Sequence, residues 1–217
     1  MAPFTPRLYD YEASGNCLKV RMAVRMLDLP YERVPVDIFG GDTLTDEFAA
    51  INPLRTTPVL EVAPKHYVNE SNAILLLLAE GTRLLPAERL ARAEVARWLF
   101  VERSFTPAVG GLRFLRLTGR DLDEREVSSL RASGNRMLGH VDEALTGRRF
   151  LAGGTPSVAD LSIYAYAHVA GDAGFELGAY RALRRWIERV ENLPGFVNDL
   201  VRYPPNAGRG LGRSIYD

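Results

Sequence analysis

The chain holds 217 residues, 47% hydrophobic and 25% charged, and its 27 basic side chains balance 27 acidic ones to a formal net charge of zero. This is the composition of an ordinary soluble globular protein with room for one large or two modest domains; without a basic excess it has no electrostatic reason to gather nucleic acid or an anionic membrane. A single cysteine, Cys17, excludes an internal disulfide framework, and the expectation is cytoplasmic residence, because the start lacks the apolar core of a secretory leader and no apolar run approaches the roughly 20 residues that span a bilayer.

Residues 7–28 carry the first structural signal. Leu8 to Tyr11 reads as a short strand and Ser14-Gly15 as a bend. An amphipathic helix begins near Asn16 and ends before Leu29-Pro30, with Val20, Val24 and Leu27 on the face of Cys17. Such a corner offers a hydroxyl, a thiol and the unpaired N–H groups of a helix start, which suit either a side-chain cap or an anion. Tyr31 to Ile38 alternates as a second strand, Leu44 to Ile51 reads as a short helix, and Asn52 to Pro58 is extended connection. Val59 to Val62 and His66 to Val68 read as a hairpin, and Ser71, alone or with Glu70, caps a helix over 73–79 that stops at Gly81. Residues 1–81 therefore make a small α/β unit, and 82–89 a linker.

After Glu88 the pattern is nearly all helical. Leu90 to Leu117 is bent at Thr106-Pro107 and near Gly110-Gly111. Asp121 to Leu145 is a second long helix that buries Val127, Leu130, Met137, Leu138, Val141 and Leu145. Its Gly134 and Gly139 each cost about 1 kcal/mol against alanine, so close helix packing is the expected compensation. Ser157 and Asp160 form a reciprocal capping box ahead of a core helix carrying Leu161, Tyr164, Ala165, His168 and Val169. Tyr180 to Val190 is a further helix. The tail from Tyr203 either folds over a cleft or packs on the helices, and its sequence does not choose.

His66, His140 and His168 lie in different elements, and neither His-Glu-x-x-His nor Cys-x-x-Cys occurs, so no metal or dithiol centre is expected. The glycine pairs at 40–41, 110–111 and 153–154 make no phosphate loop, which argues against nucleotide chemistry. Four motifs remain: Leu8-Tyr9-Asp10-Tyr11-Glu12-Ala13-Ser14-Gly15-Asn16-Cys17, then Asn52-Pro53 with Thr57-Pro58-Val59-Leu60, then Glu70-Ser71-Asn72-Ala73-Ile74, then Pro156-Ser157-Val158-Ala159-Asp160. In this order they resemble the cytosolic glutathione S-transferase superfamily, in its bacterial serine-type, theta- and zeta-like branch.

That resemblance implies a thioredoxin-like α/β N-terminal domain over 1–81 and an all-α helical C-terminal domain over 90–217. It also implies a homodimer, glutathione as cosubstrate, no metal, and conjugation of a small hydrophobic electrophile as in detoxification. Ser14 would donate to the glutathione sulfur, favouring thiolate over thiol. Pro58 would follow a cis bond, Val59 would exchange backbone bonds with the cysteinyl part of glutathione, Glu70 would attract its amino group and Ser71 would hold its γ-glutamyl carboxylate. Thr57 completes this wall, where the family often has an aliphatic residue. Arg55 stands where the family often has glycine and a basic residue; it either pairs with the glycyl carboxylate or is a solvated loop arginine. Cys17 is either the centre of a disulfide reductase or deglutathionylase or a buried inert thiol. Tyr9 and Tyr11 resemble the strand-end tyrosines of tyrosine-type transferases loosely, with core and cleft wall as the plainer reading. Phe39, Trp98, Glu102, Arg103, Phe105, Thr106 and Tyr164 are candidates for contact with the second substrate or for packing. The same resemblance also admits a glutathione-dependent isomerase, or a non-catalytic interaction protein of this fold.

Overall fold

The computed structural model describes residues 4–120 and 123–216. These fall into two compact units, residues 4–78 with 197–216 and residues 79–196. The first unit runs β1 (Arg7–Asp10), α1 (Gly15–Met26), β2 (Glu32–Pro35), a 3-10 turn (Asp42–Leu44), α2 (Asp46–Ile51), β3 (Val59–Ala63) and β4 (His66–Asn69), and α3 (Ser71–Ala79) follows. The sheet order is β2-β1-β3-β4, with β2 parallel to β1 and the other two pairings antiparallel.

Period-two alternation explains how the sheet meets its helices. Leu8 and Leu60 face each other across β1 and β3 and pack on Val20 and Val24 of α1 and Ile74 of α3, all essentially without solvent contact. Each such side chain contributes about 1.5–3 kcal/mol of burial. Strand β2 is shorter than the alternation over 31–38 predicts. Val36 N–H still bonds Asp10 O at 2.9 Å, but the Asp37 carboxylate then accepts the N–H groups of Phe39 at 3.1 Å and Gly40 at 2.8 Å, turning the chain away. Helix α2 begins two residues later than the sequence suggests because Thr45 caps it, its hydroxyl accepting Phe48 N–H at 3.1 Å.

The helical unit contains α4 (Arg89–Phe105), a π-helical segment (Thr106–Gly111), α5 (Leu112–Thr118), α6 (Glu124–Ala144), α7 (Val158–Ala167) and α8 (Arg181–Glu191). The bend expected at Pro107 and Gly110-Gly111 is this π-helical segment, and a Cβ on Gly110 would sit 2.5 Å from the Tyr166 ring. Gly134 is compensated as expected, since a Cβ there would collide with the Phe175 ring, whereas Gly139 meets nothing within 4 Å. Leu138, Val141 and Leu145 are buried, while Val127, Leu130 and Met137 are only partly so. The start expected for α6 at Asp121 lies outside the described residues.

The Ser157 and Asp160 capping box is present. Asp160 is fully buried and accepts four bonds, from Ser157 N–H at 2.9 Å, Ser157 Oγ at 3.1 Å, Leu151 N–H at 3.0 Å and Trp186 Nε1 at 2.9 Å. Burial pushes its carboxyl pKa up, and those donors pull it back.

The end of the chain departs from the expected domain over 90–217. Residues 197–216 pack with the first unit: Asp199 pairs with Arg21 at 2.7 Å, Asn206 Nδ2 reaches the Asp37 carboxylate at 3.2 and 3.3 Å, and Arg213 N–H donates to Phe39 O at 2.7 Å. The tail is held there by polar partners that lie far away in sequence.

Candidate functional site

The site grows from the first turn of α1. Ser14 adopts an extended backbone, φ −83° and ψ 122°, and its hydroxyl accepts Cys17 N–H at 3.3 Å, satisfying one of the helix's unpaired donors. Its own N–H donates to Tyr11 O at 3.0 Å, which tightens the turn leaving β1. Ser14 is half-buried, and its hydroxyl sits at a helix N-terminus.

Cys17, one turn on, is fully buried, and its sulfur accepts Tyr11 N–H at 3.4 Å. Burial first, and the Asp10 charge second, push its thiol up to about 12, against weaker lowering by Tyr11 N–H and the Thr57 and Ser14 hydroxyls. A protonated sulfur without solvent access is a poor nucleophile and a poor redox centre.

Asn16 and Lys19 carry α1 across to the start of α3. Lys19 Nζ donates to Asn16 Oδ1 at 2.9 Å and to Ser71 Oγ at 3.4 Å, and Ser71 Oγ lies 3.4 Å from Asn16 Oδ1. Ser71 is the first residue of α3 and is buried, while Glu70 beside it is exposed with φ +66°. A non-glycine residue in that region costs of order 1 kcal/mol, which is a common signature of a functional corner. Sequence reasoning misses Lys19, because Lys-Val-Arg inside a helix reads as solvated charge; it is fully buried instead.

The Thr57–Pro58 peptide bond is cis. The loop ahead of it is pinned by buried Asn52, whose Nδ2 donates to Thr56 O at 2.9 Å and whose Oδ1 accepts from Leu54 N–H at 3.1 Å and Asn69 Nδ2 at 2.7 Å. Val59 requires a correction. It is flanked on both sides, by Tyr9 of β1 and Asn69 of β4, so it offers no free strand edge to a ligand. Thr57, just outside the strand, has no backbone-to-backbone hydrogen bond among the described residues. Arg55 Nη1 donates to Thr43 O at 2.9 Å and Thr45 O at 3.0 Å, which braces the chain ahead of α2, and its Nη2 lies 3.9 Å from the Asp46 carboxylate.

Tyr9 is core, its ring edge-on to Phe48 and Tyr67. Tyr11 is buried against Phe39, with ring centroids 5.8 Å apart, and its hydroxyl finds no partner among the described residues. Burial raises its pKa chiefly, so it stays a neutral phenol. A pocket of about 560 Å³ opens beside this turn, lined by Tyr11, Glu12, Val36, Val201, Pro204 and Pro205 among others. Nothing in the sequence of the tail marks its residues as lining.

Of the other second-substrate candidates, Trp98 is buried with its Nε1 donating to Leu151 O at 3.0 Å, and Phe105 is likewise fully buried. Tyr164 is buried too, stacked on His168 with its hydroxyl donating to Glu191 at 2.9 Å. These three serve core packing. Glu102 is buried and accepts the Thr106 hydroxyl, and Arg103 is exposed. Among the described residues no cluster of His, Cys, Asp and Glu could hold a metal ion, and no helix is long and apolar enough to cross a membrane.

Residues 8–83 match the family described as glutathione S-transferase, N-terminal domain, and residues 95–194 that described as glutathione S-transferase, C-terminal domain. The crystal structure of a glutathione S-transferase from Pseudomonas fluorescens Pf-5 is 38% identical with a TM-score of 0.87, covering 91% of this chain and 100% of its own. A zeta-class glutathione S-transferase of Euphorbia esula is 27% identical over 208 residues, 93% of this chain and 92% of its own. A glutathione transferase of Burkholderia graminis, solved with two glutathione molecules bound per subunit, is 25% identical with a TM-score of 0.79, covering 90% of this chain and 87% of its own.

Proposed function

The chain belongs to the glutathione S-transferase family, and on that premise we propose that it is a serine-type transferase whose Ser14 hydroxyl holds the glutathione thiolate for attack on a small hydrophobic electrophile. One observation carries the choice of atom: Ser14 caps α1 and is only half-buried, while the neighbouring Cys17 thiol is sealed and pushed up to about 12. A hydroxyl donating to sulfur, together with the positive end of α1, favours the charged form. Lowering the bound thiol by two pKa units takes about 2.7 kcal/mol, within reach of one charge-assisted bond and a helix terminus.

The tripeptide would lie along groups that α1 ties together. Its γ-glutamyl carboxylate meets the Ser71 hydroxyl and the N-terminus of α3, and its amino group meets Glu70. The backbone of Thr57, rather than Val59, pairs with the cysteinyl part, and Arg55 braces the loop instead of binding. The sulfur then forms a C–S bond to the electrophile; in a substitution the leaving group departs with its electron pair, and in an addition the adjacent carbon takes a proton from solvent. Side-by-side binding supplies the proximity. The pocket beside Tyr11 is the proposed seat of the electrophile. The protein is proposed to act as a cytoplasmic homodimer.

Likeness to a maleylacetoacetate isomerase of Dictyostelium discoideum, 26% identical over 210 residues, favours a second reading, an isomerase that adds and then eliminates the same thiolate. A disulfide reductase working through Cys17 has the buried, protonated sulfur against it. In the deciding assay, Ser14→Ala lowers the rate of conjugation to 1-chloro-2,4-dinitrobenzene about 100-fold while glutathione still binds, and Cys17→Ala stays near wild type. A Ser14→Ala enzyme of full activity refutes the proposal.

A further inference from the structure

Arg21 is a fully buried guanidinium on α1 that joins three separate stretches of chain. Its Nη1 pairs with Asp10 Oδ1 at 2.6 Å at the end of β1, and its Nη2 donates to Glu12 O at 3.2 Å in the turn that leads to Ser14. Its Nε pairs with Asp199 Oδ1 at 2.7 Å in the tail. The other oxygen of Asp10 pairs with Arg33, whose Nη1 also reaches Glu12 Oε1 at 3.2 Å, so two arginines share the buried carboxylate. A planar fork that reads three acceptors at once fixes their mutual positions in a way that a lysine could not.

The tail so held lines the pocket through Val201, Pro204 and Pro205, together with Tyr11 and Glu12 of the turn after β1. Two further ties follow along it, from Asn206 to Asp37 and from Arg213 N–H to Phe39 O. We propose that Arg21 and Asp199 are positioning residues whose ion pair latches the tail over the pocket, so that the latch, and not only the lining, determines which electrophiles are accepted. This rests on the reading above that the pocket takes the electrophile.

Asp199 is the residue to change, because its side chain is 47% exposed and the Asp199→Asn substitution leaves the buried pairing of Arg21 with Asp10 in place. The expected result is about tenfold faster tryptic cleavage after Arg202 and Arg209, with KM for 1-chloro-2,4-dinitrobenzene raised about tenfold and KM for glutathione within about twofold of wild type. Asn206→Ala, which breaks the second tie, is expected to move the same two quantities in the same direction. Unchanged cleavage in Asp199→Asn overturns the latch. Faster cleavage with an unchanged electrophile KM overturns its link to specificity. A wild-type enzyme that fails to bind glutathione removes the reading beneath, and the specificity role with it, while the cleavage rates still decide the latch.

Discussion

Cys17 and Ser14 stand three positions apart yet sit in different environments, because the first turn of α1 buries one side chain completely and leaves the other at its cap. The difference has a measurable consequence in alkali. The Cys17 thiol is raised from 9.0 to about 12 in the folded protein, so the unfolded chain releases its proton first. The stability this group contributes is therefore complete below pH 9.0 and is lost as pH rises toward about 12. Urea unfolding across that window is expected to fall by up to about 1.4 kcal/mol per pH unit in the wild type and more gently in Cys17→Ala. Parallel limbs for the two proteins would contradict the buried, protonated thiol. The Ser14 corner was legible because Ser-Gly-Asn stands directly ahead of an apolar helical period. Lys19 and Arg21 were not, since only the packing of a tail residue and of α3 turns two ordinary helix charges into buried ones.

Helix α7 illustrates what an element's local signal can and cannot tell. Ser157 and Asp160 are spaced as a capping box, and the box forms. The sequence could not show that Leu151 N–H and Trp186 Nε1 converge on the same carboxylate from outside the helix. Asp160→Ala therefore removes more than a cap. It strands two buried donors as well and is expected to cost about 3–5 kcal/mol, read as a lower Tm, while glutathione affinity per folded molecule is unchanged. A loss near 1 kcal/mol would mean that the two distant donors find other partners. Element ends follow the same logic: Asp37 and Thr45 shorten β2 and delay α2 through side-chain bonds that periodicity does not encode.

At the scale of the molecule, the change of composition near Glu88 was enough to separate an α/β unit from a helical one, because the hydrophobic period itself changes there. The chain's return to the first unit after Val197 had no such signal, for it depends on Asp199, Asn206 and Arg213 finding partners more than 160 positions earlier. The same return supplies a wall to the pocket beside Tyr11. The most direct measurement is a pH titration of thiolate absorbance in the glutathione complexes of wild type, Ser14→Ala and Cys17→Ala. A bound thiol lowered by about two pKa units is expected in wild type and Cys17→Ala, restored toward its free value in Ser14→Ala; a lowered pKa that survives Ser14→Ala and vanishes with Cys17→Ala would contradict the assignment of the chemistry to the Ser14 hydroxyl.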